Sequence, residues 1–480
     1  MRRDIIILIC LIAMSGFSYS QDTSKVITVI GDELTGRIEN GESIREVSGN
    51  VILTQGNVVI TCDRAIQYLE RNDARLIGNV IVTQDTLRIE TPEGFYFGNI
   101  RRAYSDKGVK LNDKKVILTA NSGEYLFNEN RADFQHRVKL YDTVSTMTAE
   151  RLIYYRFLDK ATAYEKVRVT DKNSTITADS LTHLRVQQET YGYGDVLIEN
   201  KENRTTIYGN YIEDYRLQDF SIIDKNPLLI QIDTVYGGGR DSVILSKEDT
   251  TIIERVIELE PDTLQSIDTL IIKSEVMEAF RDTINLFIAR DSVEIIRKNF
   301  SSRNDQTLYY KNQEKIFMNK MTEKSKPPVM WYDLTQLSGD SLMIFLRGSK
   351  IDKVVVRANA LVISQNEFEL TRYDQISGKD IEMQFFDGDI RKVDVYENVL
   401  CIYNMYEDNE PNGLIKASSK DASIEFENKK VTTVRLYSDP KSDYYPENLI
   451  TGKEKEFVIP KFMIYESKPV KEKMLERITK

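Results

Sequence analysis

Two histidines, one tryptophan and three cysteines among 480 residues leave little material for several kinds of chemistry. A nucleophilic triad needs a histidine base, and only His136 and His183 are present. His136 falls at a turn or bend position and His183 within the strand-like THL, so a structural role is the reading for each. Cys10 lies in an apolar N-terminal run, and Cys62 and Cys401 are too far apart in sequence to form a disulfide framework or a zinc-ligand spacing. Stability must therefore come from burial and strand pairing. The formal charge of −10 argues against nucleic acid as a partner. Beyond the N-terminus no segment is long and apolar enough to cross a membrane as a helix.

The N-terminus carries Arg2 and Arg3, the apolar run Ile5 to Phe17, and then Ser18, Tyr19 and Ser20 before Gln21. This order is that of a cleavable export signal over residues 1–20, and the run is shorter than the roughly 18 to 20 residues a spanning helix needs. Cys10 has no small residues just before it, which disfavours a lipid-modified cysteine, and it leaves with the signal.

What the chain has in abundance is an internal repeat. Val51, Val80, Val109, Val138, Val167 and Val196 recur every 29 residues, and Ala74, Ala103, Ala132, Ala161 and Thr190 keep the same step. A third series runs Thr61, Thr91, Thr119, Thr148 and Thr177, with Asp63, Glu93, Asn121, Glu150 and Asp179 two places on. Each copy reads as two extended segments. In residues 74 to 84, Leu76, Val80 and Val82 share one face, and Ile77, Ile81 and Thr83 the other, a period of two. Gly49, Gly78, Gly108 and Gly194 fall mid-segment, where glycine relieves a bend or bulge.

Stacked bent hairpins predict an all-β, elongated antiparallel jelly-roll of 29-residue repeats, with a strand folding over from one sheet into a second. A parallel β-helix with one coil per repeat is the alternative. The expected organisation is a signal peptide at 1–20, a first repeat block at 21–235, a polar insertion or linker at 236–268, a degenerate second block at 269–466 and a charged tail at 467–480. In the second block the small-residue anchors Ser301, Ser338, Ser377 and Ser418 are more widely spaced, so its loops are longer.

The GNV and GDV starts at 49, 78 and 194, with the T(A/C)(D/E/N) signatures at 61–63, 119–121, 148–150 and 177–179, resemble the OstA-like proteins. Members of that family include the periplasmic bridge component of lipopolysaccharide transport, the LptA type. The likeness is good over residues 27 to 215 and loose over 270 to 430. It implies a V-shaped or jelly-roll tube, a periplasmic location, and lipopolysaccharide as partner, with acyl chains held inside. The chain departs from a minimal bridge protein in its length and in the insertion at 236–268.

A groove between splayed sheets can take acyl chains, with about 0.8 kcal/mol for each CH₂ removed from water. The inward-facing candidates are Val51, Leu53, Val80, Val82, Val109, Leu111, Val138, Leu140, Val167, Val169, Val196 and Ile198. The same residues would equally pack a dry core, as in a structural or adhesive repeat protein with no lipid. Free strand edges would allow pairing with other transport proteins or head-to-tail self-association. No metal, cofactor or catalytic group is implied. The acidic residue recurs once per repeat, as a structural turn position would, so a polysaccharide-processing enzyme is the lesser reading. Trp331 reads as a packing residue, and the glycine run at 237–239 as a flexible turn.

Overall fold

The computed structural model describes residues 26–236, 265–348, 350–366, 369–386, 388–408, 410–427 and 430–479. The expected signal peptide and nearly all of the expected insertion at 236–268 lie outside the described residues. The chain divides into two compact units, 1–172 with 179–186, and 173–178 with 187–480.

In the first unit every described pair of strands is antiparallel, which excludes a parallel β-helix there. Its strands are β1 (Thr28–Ile30), β2 (Glu33–Glu39), β3 (Glu42–Gln55), β4 (Val58–Tyr68), β5 (Asp73–Gln84), β6 (Leu87–Phe97), β7 (Arg102–Ser105), β8 (Val109–Asn112), β9 (Ile117–Ala120), β10 (Ser122–Leu126), β11 (Arg131–Tyr141), β12 (Thr146–Tyr155) and β13 (Lys160–Thr170). The long strands serve two sheets. The first half of β3 pairs with β2 and its second half with β1. Likewise β6 gives one end to β7 and the other to β8, and β11 splits between β10 and β9.

In β3, β5, β11 and β13 the bend is a bulge of two successive residues in left-handed conformation. Gly49 and Asn50 (φ 74° and 47°) interrupt the β3–β4 register between Ser48 and Val51. Gly78 and Asn79 (φ 76° and 47°) do the same in β5, and His136 with Arg137 (φ 64° and 55°) in β11. An extra residue that is left unpaired bends its strand and strengthens the local twist. At Gly108 (φ 90°) the interruption widens into a break that separates β7 from β8. Two glycine copies show why the residue is needed. A Cβ on Gly49 or Gly78 would run into the carboxylate of Asp32 or Asp63. Those carboxylates hold the bulge by accepting from Asn50 and Asn79, each at 2.9 Å. The acidic member of the repeat thus has a structural task.

Small residues line the inside of the corner because two sheets converge there. Val51 lies opposite Cys62, and Val138 opposite Ala149.

The second unit continues with antiparallel pairing at wider and less regular spacing. Double left-handed bulges recur within strands at Asp291–Ser292 and Ala358–Asn359, and the same pair of conformations marks breaks between strands at Glu397–Asn398 and Ser438–Asp439. Three of the spaced serines line up in one row across neighbouring strands, in which Ser338 faces Leu361, Leu361 faces Ser377, Ser377 faces Leu400, and Leu400 faces Ser418. Trp331 is buried. The charged tail forms a helix, Lys471–Thr479, docked by Met474 against Leu228 and Ile271 and by Arg477 on the Gly209 and Asn226 carbonyls. Among the described residues no helix is long and apolar enough to cross a membrane, which leaves strands aside.

Candidate functional site

The candidate site is the interior between the two sheets of the first unit. There Val51, Leu53, Val80, Val82, Val109, Leu111, Val138, Leu140 and Val167 are buried, and in the second unit Val196 is buried too. Val169 and Ile198 are half-buried, and Ile198 packs against the cluster of Ala178, Val196, Ile212 and Ile223. The valine that follows each bulge is turned inward because the extra residue resets the alternation at the corner. Arg75 and Lys110 point outward, with Arg75 paired to Glu93 at 2.6 Å.

The two sheets meet across this interior. One enclosed space is lined by Leu76, Tyr125 and Phe134 from one sheet and by Val80, Val82 and Val109 from the other. Its volume of about 20 Å³ is that of a single water, so side chains fill the interior here.

Opposite the bulges, the free ends of the two sheets are joined by polar contacts that keep the repeat. Tyr96 Oη donates to Gln55 Oε1 at 2.5 Å, and two repeats on Tyr154 Oη donates to Asp113 Oδ2 at 2.7 Å. Both pairs are 41 residues apart in sequence. A second series has a separation of 44, with Arg101 on Asn57 at 2.7 Å and, again two repeats on, Lys115 on Asp159 at 2.7 Å. Gln55 also donates to the Gly98 carbonyl, and Gln67 to that of Ile27. Burial raises the Tyr96 and Tyr154 hydroxyls above the usual tyrosine range, and it pushes Tyr125 up to about 12. At Tyr154 the hydrogen bond to Asp113 adds to the effect.

This seam was not foreseen from the sequence, although its signal was available. Gln55, Gln84 and Asp113 keep the 29-residue step, as do Gln67, Tyr96, Tyr125, Tyr154 and His183. One side of the interior is therefore a bent backbone and the other a line of polar side chains.

The sequence model of the OstA-like protein family matches residues 23–179. Over those residues the chain is similar to that family. That region holds β1 to β13, with their bulges, interior valines and polar seam. The chain also shows a likeness to a solved structure, described as LptH, the LptA-homologous periplasmic component of the lipopolysaccharide transport device from Pseudomonas aeruginosa. Identity is 17%, covering 28% of this chain and 78% of that one, with a TM-score of 0.16, and at that score the likeness carries no argument. Among curated proteins no relative matches the chain.

Among the described residues no group of three or more histidine, cysteine or acidic side chains is placed to hold a metal ion. Cys62 and Cys401 are both free thiols, raised by burial to about 11 and about 12. A thiol held protonated is a poor nucleophile.

Proposed function

We propose that this protein binds an amphipathic envelope lipid, lipopolysaccharide, and carries it in the periplasm towards the outer membrane, with the acyl chains between the two sheets of the OstA-like block. The observation that supports this most is the contrast between the two sides of the interior. The bulge side is continuous backbone and does not part. The seam side is closed by side-chain hydrogen bonds, with a net worth of about 0.5–1.5 kcal/mol between neutral groups and about 1.5–3 kcal/mol where a carboxylate accepts. Opening the Tyr96–Gln55 and Tyr154–Asp113 pairs costs about 2–4.5 kcal/mol, which about three to six buried methylenes offset. Acyl chains enter through the seam and pack against the interior valines where the sheets part.

The filled interior favours a second reading, a structural or adhesive repeat protein with a dry core. In both readings the outer strand β2, exposed throughout and paired only with β3 among the described residues, offers an edge for strand addition by a transport partner or a second copy.

A photocrosslinker at Val80, Val109 or Val138 in the full chain, incubated with lipopolysaccharide and compared with one at Arg75 or Lys110, separates the two. Lipid attached at the valines alone, and more of it in a Tyr96→Phe, Tyr154→Phe background, is the expected result. A folded protein with no attachment at any valine refutes the carrier and favours the dry core.

A further inference from the structure

The outer face of the first unit carries a second concavity that the lipid reading does not use. It has a volume of about 370 Å³, within the range of roughly 300–1,000 Å³ of small-molecule sites. Strand register builds it from two adjacent rows. In the first, Tyr68 faces Asp73, Asp73 faces Phe97 and Phe97 faces Arg102. In the second, Phe95 faces Tyr104 and Tyr104 faces Glu124. These residues share a face because each row lies two positions from the other along its strands.

Aromatic rings make up the floor and planar charged groups the rim. Phe95 and Phe97 stack at 6.3 Å. The Arg71 guanidinium lies 4.3 Å from the Tyr68 ring centre, and that of Arg102 lies 4.4 Å from that of Phe97. Each guanidinium is already paired, Arg71 with both oxygens of Glu42 and Arg102 with Glu124 at 3.2 Å. An anion would therefore meet cations already neutralised.

Hydrogen-bonding capacity nevertheless remains unused. The Asp73 carboxylate accepts no hydrogen bond from a described residue, whereas Arg102 Nε, also without a partner, is buried and closed off from the pocket. Burial raises the Asp73 carboxyl above its ordinary range, and Arg71 partly offsets the shift. An unused acceptor beside the Tyr104 and Phe97 rings suits a ligand that carries hydroxyl donors around an apolar C–H face.

We propose that this pocket is a binding site for a neutral saccharide, whose ring lies against Phe97 and Tyr104 and whose hydroxyls donate to Asp73. The site stands apart from the interior, so it is occupied whether or not lipid binds. Aromatic–sugar contact supplies most of the affinity, and the bond to Asp73 sets the ring's orientation.

The purified full chain is titrated with chitotetraose, cellotetraose and maltotetraose, with tetragalacturonate as the anionic control, by calorimetry and saturation-transfer NMR. At least one neutral tetrasaccharide is expected to bind, with saturation on its C–H face. Affinity is expected to fall at least tenfold in both Tyr104→Ala and Asp73→Asn, with the β-sheet circular dichroism unchanged. Absence of binding by all three neutral sugars, preference for the anionic one, or affinity retained in both variants would each overturn the proposal. If Tyr104→Ala perturbs the fold, Asp73→Asn alone decides.

Discussion

The bulge at Gly78 turns a repeat of the sequence into a bend of the fold, and replacing it with alanine isolates what the bend costs. Gly78 sits at φ 76°, a region that disfavours an L side chain by about 1–2 kcal/mol. The added Cβ also meets the Asp63 carboxylate, which must move and give up the 2.9 Å bond from Asn79. A hydrogen bond to a charged acceptor is worth about 1.5–3 kcal/mol, so Gly78→Ala is expected to lose about 3–4 kcal/mol in all. Gly108→Ala is the control. At φ 90° with nothing within 4 Å of its Cβ, it carries the backbone penalty alone. In urea denaturation followed by tyrosine fluorescence, the difference of about 2 kcal/mol appears as a midpoint about 1 M lower for Gly78→Ala. Placed on an Asp63→Ala background, Gly78→Ala should cost only the backbone part. Equal midpoints for the two glycine variants, or an undiminished cost in that background, refute the account of Asp63 as the clamp of the bend.

The buried tyrosines make the first unit sensitive to alkali. Below pH 10 Tyr125 is protonated in both states, but above it the unfolded chain ionises while the folded one holds its proton to about 12. Stability therefore falls between pH 10 and 12, by on the order of 2–3 kcal/mol for this residue. Melting temperature and tyrosinate absorbance against pH should change together in that window; full ionisation near pH 10 with the fold intact would show that these hydroxyls are not buried. In the second unit Arg297 faces Asp268 at 2.8 Å, and Asp268 is 4% exposed. Lys298 stands 3.7 Å from the same carboxylate, so Arg297→Met together with Lys298→Met strands it and should cost about 3–5 kcal/mol, while a further Asp268→Asn recovers much of it. Equal stability of the double and triple variants in urea would count against a buried ion pair.

Much of the fold was legible in the sequence because the relevant signals are local and repeated. The 29-residue valine series marks the residue after each bend, and all of its copies from Val51 to Val196 are buried. The mid-segment glycines mark the bulge, since few other residues adopt positive φ without strain. Where the bulge uses His136–Arg137 or Glu165–Lys166, no glycine marks it, and only the period shows the position. Val169 and Ile198 kept the pattern yet lie half-buried. Alternation predicts which face a residue takes, while burial depends on what another strand places over that face.

Sequence alone determined the extended period-two segments, the 29-residue unit and the identity of the residues after each bend, because these depend on neighbours within one repeat, while antiparallel pairing rather than a parallel β-helix was decided by the strand register. Tertiary structure alone decided what closes the other side. The Tyr96–Gln55 and Tyr154–Asp113 contacts join residues 41 apart, and the outer pocket needs Tyr68, Phe97, Arg102 and Glu124 from four strands. Such contacts follow from the register and bend of several strands at once, which no single repeat contains.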